Sequence, residues 1–209
     1  MRGLARVSRA SRIEIAFDLK SCQTKADFRP EALEMSQKLP RLTLVLGGAR
    51  SGKSRYAEGL ITAETAPWIY VATGEAHDAE MAQRIAHHVE RRGPGWHTRE
   101  VPLALADAVR AHAADARPML IDCLTLWLSN VMLAERDVEA ERADLVDALQ
   151  SAGGPLVVVS NEVGLGIVPE NALARAFRDE QGRLNAAVAA ISDTAVLMAA
   201  GLPLFLKRA

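Results

Sequence analysis

Leu42-Thr43-Leu44-Val45-Leu46-Gly47-Gly48-Ala49-Arg50-Ser51-Gly52-Lys53-Ser54 is the stretch that decides the fold. Five apolar or β-branched residues read as a strand. The glycine-rich run after them matches G-x-x-x-x-G-K-[ST] and leads into a helix-forming segment, the context this loop needs. Glycines let the backbone wrap closely, so that successive N–H groups and the helix N-terminus face phosphate oxygens. Lys53 adds a point charge for the β- and γ-phosphates, and the Ser54 hydroxyl is a ligand for Mg²⁺.

From Arg41 onward strand-like and helix-like segments alternate, which predicts an α/β domain with a mostly parallel sheet flanked by helices. Strands are predicted at 42–46, 68–72, 98–101, 119–121, 156–160, 195–198 and 204–206. Helices are predicted at 53–62, 79–92, 103–113, 125–133, 138–150 and 172–191. The run Leu156-Val157-Val158-Val159 has no polar alternation and should be covered on both faces, with Gly153-Gly154-Pro155 breaking the helix before it.

The chain has 209 residues, Lys+Arg 25 against Asp+Glu 26, and a net charge of -1, which gives no footprint for a nucleic-acid backbone. The two cysteines, Cys22 and Cys123, are too few for a disulfide frame or a metal site and suit a reducing cytoplasm. No apolar run approaches the ~20 residues of a membrane span. Residues 1–40 hold eight basic and five acidic residues, lack a secretory h-region, and read as an N-terminal extension, disordered or upstream of a start at Met35. The domain is expected over 41–209.

A phosphate loop calls for an acidic group at the end of a neighbouring strand, and Met119-Leu120-Ile121-Asp122 offers Asp122, which with Ser54 would serve Mg²⁺. The plainer reading makes Asp122 the cap of the following helix. On the helix over 79–92, Arg84, His88 and Arg91 or Arg92 share a face, with His87 about 100° around the axis. A histidine among guanidinium groups is placed to meet polyphosphate, and a neutral imidazole can attack an α-phosphorus. A solvated basic face with an incidental His-His pair fits the same spacing. Asn161 to Asn171, with Gly164 and Gly166 after a buried strand, lies where open α/β sheets bind ligands, although Asn171 as a mere helix cap explains part of it. The tryptophans Trp68, Trp96 and Trp127 are read as core or interface and given no site role.

Four ordered motifs carry a resemblance: Gly47 to Arg55, Val71-Ala72-Thr73, Glu80 to His88, and Asn161 to Asn171. The match runs on through Arg175, Phe177-Arg178-Asp179, Gly182 and Asn185. Together they resemble the bifunctional adenosylcobinamide kinase/adenosylcobinamide-phosphate guanylyltransferases. The resemblance implies a RecA-like phosphate-loop NTPase domain that assembles as a homotrimer with sites near subunit contacts. It implies phosphorylation of adenosylcobinamide with ATP or GTP, then transfer of GMP from GTP through a guanylyl-histidine to adenosylcobinamide phosphate. It places the covalent GMP on His88 and nucleotide contacts at Gly47, Gly48, Ala49, Arg50, Ser51, Gly52, Lys53 and Ser54. Further nucleotide contacts are implied at Thr73, Gly74, Glu75, Val89, Glu90, Arg91, Arg92, Glu100 and Asp122. The competing expectation is a phosphate-loop switch or motor with no covalent intermediate, which would have no use for a nucleophilic histidine.

Overall fold

The computed structural model describes residues 38–75, 93–112 and 117–208. Within them the chain runs β1 (Leu42–Gly47), α1 (Lys53–Thr62), β2 (Trp68–Ala72), β3 (Trp96–Glu100), α2 (Leu105–His112) and β4 (Met119–Asp122). It continues through α3 (Leu124–Leu133), α4 (Val138–Ser151), β5 (Leu156–Asn161), α5 (Ala172–Ile191), β6 (Thr194–Ala199) and β7 (Leu202–Lys207). The predicted helix over 79–92 lies outside the described residues.

The strands form one seven-stranded sheet in the order β3-β2-β4-β5-β1-β6-β7. Every pairing is parallel except that of β6 with β7. β5 is therefore central, and its predicted two-sided burial is borne out: Leu156, Val157, Val158 and Val159 are all fully buried. Side chains alternate between two apolar layers. Leu44, Ile121, Leu156 and Val158 pack with α2, α3, α4 and α5, while Val45, Leu120, Val157 and Val159 pack with Tyr56, Ala57 and Ile61 of α1.

Two expectations need correction. β3 begins at Trp96 rather than at residue 98, because the Trp96 ring packs on Trp68 at 5.4 Å and edge-on against Tyr70 at 5.9 Å, and it ends at Glu100, with Val101 N–H still bonding Ala72 O at 2.8 Å. β4, which carries Asp122, is not the neighbour of the phosphate-loop strand; β5 stands between them.

The amino edge of the sheet is closed by Arg41. Its guanidinium donates to the carbonyls of Leu149 at 2.9 Å and Ile191 at 3.2 Å, at the ends of α4 and α5. It also pairs with Asp193, which accepts the Leu42 N–H at 2.9 Å. Carbonyls left unpaired at two helix ends are thus satisfied by one cation.

Candidate functional site

The glycines of the loop have geometric reasons. A Cβ on Gly47 would run into Ser51 Oγ and come within 2.8 Å of the Met198 carbonyl, so a side chain there displaces backbone. Gly52, at φ 91°, is the N-cap of α1 in the left-handed conformation that glycine adopts at no steric cost. Arg50 also has positive φ, at 55°. Between these turns the loop closes on itself through Ser51 N–H to Gly48 O at 3.4 Å, and Gly201 N–H ties Ser51 O to the β6–β7 turn at 3.2 Å. Lys53, the first residue of α1, lays its ammonium back across the loop to Gly48 O at 3.0 Å. Ser51 Oγ is buried with no hydrogen-bond partner among the described residues. A buried hydroxyl in that position suits a loop made to enclose anionic oxygens.

Asp122 ends β4 on the α1 side of the sheet, where Tyr70 OH donates to its Oδ2 at 3.0 Å. The helix-cap reading fails: the N-cap of α3 is Cys123, with no side-chain cap bond. Burial first, and the Asp122 carboxylate second, push the Cys123 thiol up to about 11, so it stays protonated. Among the described residues no three His, Cys, Asp or Glu side chains gather as a metal cage. Ser54 and Asp122 are hard oxygen donors of the kind Mg²⁺ takes in small number, completing its shell with phosphates and water.

Thr73 follows β2 and is fully buried. Its hydroxyl donates to Cys123 O at 2.7 Å and accepts the Cys123 N–H at 2.9 Å, and Asn130 donates to its carbonyl at 2.8 Å. Its side chain thus latches the ends of β2 and β4 together. Gly74 and Glu75 come directly after it, and Glu100 ends β3 on the rim of a shallow open depression with Pro102 and Leu103.

These residues are strung along one edge rather than gathered at one point. At about 4.8 Å per strand, the strand ending in Asp122 lies two steps across the sheet from β1, roughly 10 Å, that leading to Thr73 three steps, roughly 14 Å, and that ending in Glu100 four, roughly 19 Å. The phosphate loop and the Thr73–Glu100 group therefore occupy separate stretches of the same edge. His88, Val89, Glu90, Arg91 and Arg92, with His87 and Arg84, lie outside the described residues.

Sequence reading missed the support behind the loop. The last residue of β5, Asn161, donates its N–H to Thr125 Oγ1 at 2.8 Å, and its carbonyl accepts from Asn185 Nδ2 at 3.0 Å. Asn185 Oδ1 accepts from Ser160 Oγ at 2.6 Å and from Gln181 Nε2 at 3.0 Å. One residue on, Glu162 N–H clamps the Gly47 carbonyl at 3.2 Å. The signal was available: Gln181 and Asn185 are four apart on α5, on the same buried face as Leu184 and Val188. Asn171 does cap α5, accepting from Leu173 N–H and Ala174 N–H, but the loop before it is apolar and exposed.

A glycine-rich loop between a buried parallel strand and a helix, with a lysine laid across it and a carboxylate along the same sheet edge, is the build of a phosphate-loop domain. Its particular kind follows from comparison. The family model described as cobinamide kinase / cobinamide phosphate guanyltransferase matches residues 43–206, and the chain belongs to that family. It is 46% identical over 166 residues to the bifunctional adenosylcobalamin biosynthesis protein CobP of Pseudomonas aeruginosa, covering 78% of this chain and 96% of the relative. It is 39% identical over 181 residues to the bifunctional adenosylcobalamin biosynthesis protein CobU of Salmonella typhimurium, covering 79% of this chain and 99% of the relative. Among solved structures, the flagellar accessory protein FlaH from Methanocaldococcus jannaschii aligns over 83% of this chain and 82% of that one, at TM-score 0.48 and 14% identity. No helix among the described residues is long and apolar enough to cross a membrane.

Proposed function

We propose that the phosphate loop Gly47 to Ser54 holds the triphosphate of ATP or GTP for the kinase reaction, and that His88 carries GMP in the guanylyltransferase reaction. The observation that carries this reading is the closed loop at the end of β1, with Lys53 lying across it. In the first reaction the acceptor hydroxyl of adenosylcobinamide attacks the γ-phosphorus, its proton is released, and the nucleoside diphosphate leaves. Lys53 offsets the charge on the transferring group, and the loop backbone fixes its position. Mg²⁺, when bound, neutralises phosphate charge; Ser54 and Asp122 would hold it.

In the second reaction the neutral imidazole of His88 attacks the α-phosphorus of GTP, forming an N–P bond as pyrophosphate leaves. The phosphate of adenosylcobinamide phosphate then attacks that phosphorus, giving adenosylcobinamide-GDP and the free histidine. Family membership and the matching Glu80 to His88 motif support this assignment. Gly74, Glu75, Glu100, Val89, Glu90, Arg91 and Arg92 are assigned to nucleotide contact on the same basis. We place the enzyme in the cytoplasm as a homotrimer. Leu202, Leu204 and Leu206, 67, 56 and 56% exposed on the edge strand β7, offer a surface for self-association.

The test is incubation with α-labelled GTP. Wild-type protein should acquire acid-labile, base-stable label, His88→Asn should not, and His87→Asn should. His88→Asn should still phosphorylate adenosylcobinamide, since that reaction needs no nucleophile at the α-phosphorus. Label retained by both variants refutes the covalent assignment to this pair.

A further inference from the structure

The run Val163-Gly164-Leu165-Gly166-Ile167-Val168-Pro169 carries no polar side chain. Yet Leu165 is 86% exposed, Ile167 98% and Val168 60%, and Leu173 at the start of α5 is 62% exposed. Isolated apolar residues on a surface need no explanation, whereas a cluster of four within nine residues marks a surface that meets something apolar.

The loop that carries them is held at both ends. Glu162 N–H bonds Gly47 O, Glu162 Oε1 accepts Gly164 N–H at 2.6 Å, and Arg175 donates to the carbonyls of Pro169, at 3.0 Å, and Glu170. Asn171 caps the helix that follows. Ordering cost has therefore been met before anything binds, which favours a contact surface over a solvent-facing turn.

Its position chooses the occupant. The loop rises directly beside the first glycine of the phosphate loop, since Asn161 is the register partner of Gly47. Any acceptor hydroxyl that meets a γ-phosphate held there must bring the rest of its molecule against whatever surface adjoins that glycine. The other exposed apolar row, Leu202 to Leu206, runs away from this edge along the antiparallel strand β7 and suits contact between chains.

We infer that the loop from Glu162 to Asn171 is the binding wall for the corrin ring of the acceptor, with Leu165, Ile167 and Val168 against the macrocycle. This rests on the cobinamide reading above and adds to it the surface that recognises the ring. A corrin is a broad apolar macrocycle fringed with amides whose reactive hydroxyl sits on a side arm. Branched aliphatic side chains match its face, and the neighbouring phosphate loop is where the arm must point.

The full chain is tested with Leu165→Ser/Ile167→Ser and with Ile167→Leu. The readouts are KM for adenosylcobinamide and for nucleotide in the kinase reaction, protein labelling by α-labelled GTP without corrinoid, and molar mass by light scattering. The double variant should raise the corrinoid KM at least tenfold while nucleotide KM and corrinoid-free labelling change less than twofold and the mass is constant. Ile167→Leu, which keeps an aliphatic side chain against the ring, should raise the corrinoid KM by less than the double variant does. An unchanged corrinoid KM in the double variant overturns the inference. So does a fall in mass, which would make the loop a contact between copies, and so does an equal loss of nucleotide affinity, which would make it part of the nucleotide pocket. A wild-type chain that fails to phosphorylate adenosylcobinamide overturns the cobinamide reading itself, and the inference with it; that result is distinct because it appears before any substitution.

Discussion

Asn185→Ala should destabilise the protein by about 2–4 kcal/mol, because an unpaired buried polar group costs about 1–3 kcal/mol and a small void adds to it. Asn185 is 6% exposed and makes three hydrogen bonds: to Asn161 O, from Ser160 Oγ and from Gln181 Nε2. On truncation Gln181 still bonds Ser160 at 3.0 Å, so part of the cluster survives. The fully buried Ser160 hydroxyl loses the acceptor it donates to, and the Asn161 carbonyl loses its side-chain donor. Against a total of about 5–15 kcal/mol this is a large fraction. With a urea m-value of about 2 kcal/mol/M, the midpoint followed by far-UV circular dichroism should fall by about 1–2 M at unchanged m. A shift under about 0.25 M, or about 0.5 kcal/mol by the same m-value, would show that water or a rearranged Gln181 replaces the amide and would refute the reasoning.

Lys53→Ala should abolish phosphorylation of adenosylcobinamide and leave the unfolding free energy within about 0.5 kcal/mol of wild type, since the loop lysine serves phosphate charge rather than the core; near-wild-type kinase turnover would remove the phosphate-loop assignment. A chain starting at Met35 should fold and keep both activities, measured by turnover and solubility, because the motifs and the family match begin after it. Cys123, whose thiol is raised from 9.0 to about 11, should resist alkylation at pH 8 in the folded protein and react after denaturation, as read by peptide mapping. The folded state holds that proton more tightly, so this thiol's contribution to stability is complete below pH 9.0 and lost as pH rises toward about 11.

What could be read in the chain was what local pattern encodes. The apolar run of β5, the glycines of the loop and the cap at Asn171 each act within a few residues of themselves, and each is found where the pattern puts it. Strand order is different. Nothing in Met119 to Asp122 says that β5 will lie between it and β1, because that order rests on pairings between residues far apart in the chain, Leu156 with Met119 on one side and with Leu42 on the other. The start of β3 was missed for a related reason: Trp96 is held by Trp68 and Tyr70 from the neighbouring strand, a partnership with no trace in the spacing around His97. Thr73 reads as a site position, yet only the fold reveals that its hydroxyl is occupied with Cys123, fifty residues away.

Arg41 has a consequence for how this protein can change. Its hydrogen bonds bind the ends of α4 and α5 at the edge of the sheet opposite the phosphate loop, a full strand length from Gly47. Substitutions around Arg41 and Asp193 therefore act on the lifetime of the folded chain without altering the shape offered to nucleotide or acceptor. Substitutions around Gly47 and Asn161 do both at once. Robustness and specificity are thus set at opposite ends of β1, and an engineer or a lineage can adjust the first while the second is left untouched.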